Sequence, residues 1–200
     1  VTVAVVDYGM GNLRSVAKAL EKAGGVVTVT SDPNLVAKAE RVVLPGVGAF
    51  GDCRKNLESS GLWEPVREAA RKGTPLLGIC LGFQLLFDGS DEFGDQKGYG
   101  ILPGRVVRFP HGMTVPHMGW NDLRRVVDHP LLAGVPDGAY FYFVHSFYPT
   151  TADPADLIGE TVYGLPFAAM AGRENVVGTQ FHPEKSQRWG LRILENFLSW

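Results

Sequence analysis

Residues 75–87, PLLGICLGFQLLF, lead an apolar strand-like run directly into a helix-like one, with one cysteine, Cys80, between Gly78 and Gly82 at the junction. A side chain on so tight a turn crowds the positions two residues away on either side, and hydrogen side chains there remove the clash. The segment predicts a nucleophile elbow, with Cys80 pointing out of a sheet at a helix start. Unpaired backbone N–H groups at a helix start favour thiolate over thiol, and the thiolate is the reactive form.

The rest of the chain supplies the sheet that such an elbow needs. Residues 1–7 form a β-branched run. Asn12 is then expected to cap a helix in which Leu13, Val16, Ala17 and Leu20 recur on one face. Val26–Thr30 and Arg41–Leu44 read as further strands, Leu62–Lys72 as a helix ending at Gly73, and Pro75–Ile79 as the strand that delivers Cys80. Short apolar strands separated by amphipathic helices imply crossover connections. The expected fold is α/β and doubly wound, with a mainly parallel central sheet and helices on both faces.

Beyond Gly89 the pattern changes. Arg105–Phe109, Tyr140–Val144, Leu157–Val162, Phe167–Ala171 and Val176–Phe181 are strand-like pieces punctuated by Gly and Pro, and predict an antiparallel second half. Gly172–Asn175 reads as a polar turn. Leu191, Leu194 and Leu198 line one side of a closing helix.

Two hundred residues with 45% hydrophobic content suit one domain spanning residues 1–200. Nineteen basic and 21 acidic side chains give a net charge of -2, with no basic block, so neither nucleic acid nor an anionic membrane surface is expected as a partner. The N-terminal VTVAVVDY reads as a first strand rather than a signal sequence, and no stretch approaches the roughly 20 apolar residues of a membrane span. Two cysteines make no disulfide framework, which fits a reducing cytoplasm.

A lone G-x-C-x-G is a weak signal, but GTQFHPEKS, residues 178–186, strengthens it. Residues two apart on extended backbone face the same side, so His182 and Glu184 can touch while Pro183 stiffens the stretch between them. A histidine oriented by a carboxylate is the base that a cysteine nucleophile requires. Acyl transfer also needs oxyanion donors. Leu81 N–H, directly after the nucleophile, is expected as one; Val47 N–H is the candidate for the other, in LPGVGAFGD, where Gly46 and Gly48 let the backbone turn or flip, although the same residues also suit a plain Gly-Pro turn.

Together PGVG, GICLGFQ and FHPE resemble the class I, triad-type glutamine amidotransferases, over nearly the entire chain. DYGMGNLRSV, PHMGWN, YFVHSF and QFHPEKS look like the glutaminase subunits of imidazole glycerol phosphate synthase. The resemblance implies that Cys80 attacks the side-chain amide of glutamine, His182 shuttles the proton and Glu184 holds the imidazole. It implies that Gln84, Glu92 and backbone in the Gly46–Gly48 loop and at Ser146 and Phe147 grip the substrate. It implies a separate (β/α)8 cyclase subunit that takes the ammonia, docked on a face containing Asn12, Trp120, Tyr142 and Lys185. Neither cofactor nor metal is expected: His111, His117 and His129 read as loop residues without paired ligand spacing.

Other readings remain beside this one. DYGMGNLR invites a dinucleotide motif, but Arg14 stands where its third glycine belongs. Glutaminases of other complexes, such as anthranilate or pyridoxal phosphate synthase, share the triad. A cysteine hydrolase of another class leaves the PGVG loop and Gln84 unexplained.

Overall fold

The β-branched start of the chain is strand β1 (Thr2–Val6), and Val3 to Val6 are all buried, as expected for a parallel strand covered on both faces. A computed structural model describes all 200 residues. The order continues α1 (Leu13–Lys22), β2 (Val26–Thr30), α2 (Pro33–Lys38), β3 (Arg41–Leu44), α3 (Phe50–Ser59), α4 (Trp63–Arg71), β4 (Leu76–Ile79) and α5 (Leu81–Gln84). Then come β5 (Phe87–Ser90), β6 (Gln96–Lys97), β7 (Leu102–Arg108), β8 (His117–Arg125), β9 (Ala139–His145), β10 (Phe147–Thr151), β11 (Leu157–Tyr163), β12 (Leu165–Arg173), β13 (Val176–Thr179) and α6 (Gln187–Ser199).

Nine strands form one sheet in the order β2-β1-β3-β4-β13-β12-β11-β8-β9. It is parallel from β2 to β13 and antiparallel from β13 to β9, so the two halves of the sequence meet at β13. A second, four-stranded sheet runs β10-β7-β5-β6. Alternation along β1 splits the core: Val3 and Val5 pack with Val16 and Leu20 of α1 and Phe197 of α6. Ala4 and Val6 pack on the other face with Val36, Phe50, Leu57 and Val66 of α2, α3 and α4. Helices therefore cover both faces.

Several expectations are corrected. Asn12 occupies the cap position of α1 but makes no side-chain capping bond. The helix-like run after Cys80 stops at Gln84, because Phe87–Ser90 leaves to pair with β7. A four-residue helix has little dipole to offer a thiolate. PHMGWN is not a loop: His117 and Trp120 lie on β8, paired with His145 and Tyr142 of β9. The last strand ends at Thr179 rather than Phe181, and the polar turn is confined to Glu174 and Asn175. The buried side of α6 is Gly190, Ile193, Leu194, Phe197 and Leu198, with Leu191 only half-buried. Helices α2 and α3 had no counterpart in the sequence reading.

Candidate active site

Strands β3, β4 and β13 are adjacent and parallel, with Leu44 beside Gly78 and Thr179 beside Ile79. Their carboxyl ends release PGVG, Cys80 and FHPE at one place, which is where open parallel sheets present their sites. Cys80 N–H donates to the Thr179 carbonyl at 2.8 Å, fastening the elbow to the strand that carries the histidine.

Cys80 has φ 55° and ψ -110°, a conformation costly for a residue with a side chain. The flanking glycines make it possible. A Cβ on Gly78 would come within 2.8 Å of the Gly82 carbonyl oxygen, and one on Gly82 within 1.9 Å of the Leu44 carbonyl oxygen. The crowding at Gly82 is thus against the end of β3.

His182 Nδ1 lies 2.7 Å from Glu184 Oε1, and both side chains are almost fully shielded from solvent. The tight turn Pro183–Lys185 brings the carboxylate back to the ring. Ser186, not singled out from sequence, locks this turn: its hydroxyl donates to the His182 carbonyl at 2.6 Å and accepts from Tyr142 N–H at 2.9 Å. His182 Nε2 and Glu184 Oε2 have no hydrogen-bond partner. Burial alone would lower the basicity of His182, but the nearby Cys80 and Glu184 outweigh it and raise the imidazole to about 10. Nε2 closes no hydrogen bond in this structure and is left free to face Cys80.

Cys80 and His182 line one cavity of about 870 Å³, together with Val47, Gly48, Leu81, Gln84, Glu92, Ser146 and Phe147. Of the residues expected to bind substrate or oxyanion, only Gly46 lies outside this lining. Its carbonyl instead accepts from Leu81 N–H at 3.3 Å, so one expected oxyanion donor is already engaged. Tyr8 Oη donates to the Pro45 carbonyl and Cys53 Sγ to the Val47 carbonyl, securing the loop on both sides.

Gln84 Nε2 donates to the Phe147 carbonyl and to Gln180 Oε1, both at 3.0 Å, leaving buried Oε1 without a partner. Glu92 accepts from Phe50 N–H at 2.9 Å, and burial pushes its carboxyl above the ordinary range. The neighbouring acids are otherwise employed: Asp88 accepts from Gly104 N–H, and Asp91 and Asp95 pair with Arg105.

On β8 and β9, Met118, Trp120 and Tyr140 are exposed, Trp120 at 46%. Trp120 meets Tyr142 edge-on at 6.0 Å, and Lys185 Nζ lies 5.9 Å from the Tyr142 ring. Trp120 therefore does not cover the domain's own core. Asn12 is exposed at the head of α1, which packs beside the Pro183–Lys185 turn.

A strained cysteine, a carboxylate-held histidine and a parallel sheet that joins them define a class. The family model described as glutamine amidotransferase class-I matches residues 4–199, and the chain belongs to that family. Within it, the chain is 52% identical over 198 residues to imidazole glycerol phosphate synthase subunit HisH of Desulfitobacterium hafniense (strain DSM 10664 / DCB-2), covering 99% of this chain and 94% of that one. It is 52% identical over 202 residues to the HisH subunit of Geobacter sulfurreducens, covering 98% and 97%. Among solved structures, PurLQS from Thermotoga maritima superposes with a TM-score of 0.78 at 21% identity, covering 99% and 97%. A crystal structure of a glutamine amidotransferase gives 0.75 at 20%, covering 98% and 97%. These two show the shared fold.

Proposed function

We propose that this chain is the glutaminase subunit of an imidazole glycerol phosphate synthase, hydrolysing glutamine and passing ammonia to a separate (β/α)8 cyclase subunit in histidine biosynthesis. One observation carries the reading: Cys80, held at positive φ, shares a cavity with the buried His182–Glu184 pair.

His182, raised to about 10, already holds a proton on Nε2, and Cys80 Sγ attacks the side-chain amide carbon of glutamine beside that imidazolium. As the C–N bond breaks, His182 gives a proton to the departing nitrogen, releasing ammonia and leaving a glutamyl thioester on Cys80. Water then breaks the thioester, with the same imidazole taking its proton and keeping it as the sulfur is released, and glutamate leaves. Glu184 fixes the ring and stabilises its charged form. Gln84 Oε1 and Glu92 are acceptors suited to the substrate ammonium.

The developing oxyanion falls to Leu81 N–H and Val47 N–H. The Gly46 carbonyl that engages Leu81 and the Val47 N–H belong to one peptide unit. A half-turn of that unit withdraws an acceptor and offers a donor in its place. A cyclase docked on the face containing Trp120, Tyr142, Lys185 and Asn12 receives ammonia before bulk water protonates it. No helix is long and apolar enough to cross a membrane, and two buried free thiols suit the cytoplasm. The whole of residues 1–200 acts as one domain.

The test is glutamate release by the chain alone and with the cyclase subunit plus its nucleotide ligand. The expected result is acceleration by the partner. Cys80→Ser is expected to abolish release while ammonium-driven cyclase activity persists. Wild-type release by the serine variant would remove Cys80 from its role, and equal rates with and without partner would remove the loop coupling.

A further inference from the structure

The cavity holds a cation that the reaction steps above leave unused. Arg108 lines it at the end of β7, exposed and engaged in no ion pair or side-chain hydrogen bond. Neighbouring Arg105 on the same strand is by contrast committed to Asp91 and Asp95. Among the acids of the same cavity, Asp91 belongs to Arg105, while Glu92 has only the Phe50 N–H. One carboxylate and one guanidinium therefore remain without a charged partner in a single cavity.

Strand register gives Arg108 a definite place. It stands directly opposite Phe147 in the antiparallel β7–β10 pair, and Phe109 N–H donates to the Ser146 carbonyl at 3.2 Å. Directly opposed residues project from the same face of a sheet. The guanidinium thus rises beside the Ser146–Phe147 backbone, at the same wall of the cavity as Gln84 Nε2, which is bonded to the Phe147 carbonyl. A planar guanidinium is the side chain best matched to a carboxylate, which it can grip through two parallel N–H donors.

We propose that Arg108 receives the α-carboxylate of glutamine, opposite the Glu92 site for its ammonium, and so selects an α-amino acid amide over a simple primary amide. This assignment rests on the glutaminase reading of the cavity.

The experiment uses the full chain, with the cyclase subunit present, and compares L-glutamine with 4-aminobutanamide, which keeps the amide and ammonium but lacks the carboxylate. Arg108→Met is expected to raise KM for glutamine roughly tenfold with kcat within about twofold. The same variant is expected to leave kcat/KM for 4-aminobutanamide unchanged, and Arg108→Lys to recover part of the loss. Calorimetric binding of L-glutamate to the isolated chain is expected to weaken by the same factor in Arg108→Met. An unchanged glutamine KM, or equal losses with both amides, would overturn the assignment, the second result marking a merely structural arginine. Absence of glutamate release by the wild-type complex would instead overturn the glutaminase reading itself.

Discussion

His117 Nδ1 stands 2.8 Å from His145 Nε2, with both rings buried where β8 and β9 pair. His145 Nδ1 faces the Phe147 carbonyl at 2.8 Å, which can only accept, so Nδ1 carries the proton and Nε2 is the acceptor. His117 then donates from Nδ1, and its Nε2 receives the Asn121 amide at 3.2 Å. Asn121 is oriented in turn by the Val162 carbonyl and Asp122 N–H. One neutral tautomer at each ring satisfies the whole chain, which ends on the Phe147 carbonyl that also holds Gln84.

A pH dependence of stability follows. Burial lowers His117 to about 4. Burial, against the Phe147 carbonyl and assisted by the charges of His117 and His182, lowers His145 to about 3. In the unfolded chain both rings protonate near 6.5, so between that pH and the folded values the unfolded state binds more protons. Stability is expected to be full above about pH 6.5 and to fall toward pH 4, on the order of 1.4 kcal/mol per unit for each ring. Urea unfolding at pH 7, 6 and 5 measures this slope, and His117→Phe should flatten it. A slope unchanged by that substitution would show that the rings are not held neutral, and an Nε2–H tautomer seen at either ring by nitrogen NMR would overturn the order of donors and acceptors along the chain.

His182 titrates in the opposite sense. Its imidazole is raised to about 10 despite burial, through Cys80 and Glu184. Its contribution to stability is therefore complete below about pH 6.5 and lost as pH rises through about 10. Glu184→Gln removes the charge at 2.7 Å and should move the His182 titration down while cutting glutamate release by roughly a hundredfold. NMR titration and steady-state rates read the two effects separately. A variant with full activity would mean that the carboxylate neither orients nor charges the ring.

The three motifs of the site were legible because each has a local signature: glycines around Cys80, His182 and Glu184 two residues apart, and glycines after a β-branched strand. Their meeting was legible only through the family resemblance, since from the residues alone it depends on β13 returning to lie beside β4. Strand β8 was missed because its alternation is inverted. Polar His117 and Asn121 face inward to hydrogen bonds, while Met118 and Trp120 face outward. Helix α3 was hidden because Gly51 continues the glycine pattern of the loop before it, although Phe50, Cys53 and Leu57 are its buried positions. Ser186 carried no signal, as its role exists only once Tyr142 and His182 are side by side.

Gly82 offers a steric test of the elbow. A methyl group there would meet the Leu44 carbonyl oxygen at 1.9 Å, a distance backbone must move to relieve. Gly82→Ala is expected to cost roughly 3 kcal/mol and to lower the thermal midpoint by several degrees. Gly51→Ala is the control for the alanine itself, because Gly51 is helical like Gly82 and a Cβ there would meet only the flexible end of the Gln96 side chain, at 3.1 Å. If both variants melted alike, the close approach of β3 to the elbow would not be what excludes a side chain at Gly82.

The outer face of β8 and β9 offers the final test. Trp120, Met118 and Tyr140 expose apolar area beside Lys185, and aromatic anchors of this kind commonly dominate binding energy. Trp120→Ala is expected to weaken association with the cyclase subunit by roughly 2 kcal/mol, about thirtyfold in Kd. The fold should be untouched, since Trp120 meets Tyr142 only edge-on and is nearly half exposed. Calorimetric titration with the cyclase gives the affinity, and thermal melting of the isolated variant gives the control. Loss of affinity with an unchanged melting temperature assigns this face to docking. Unchanged affinity would move the interface elsewhere, and the ammonia would then need another exit from the cavity that holds Cys80.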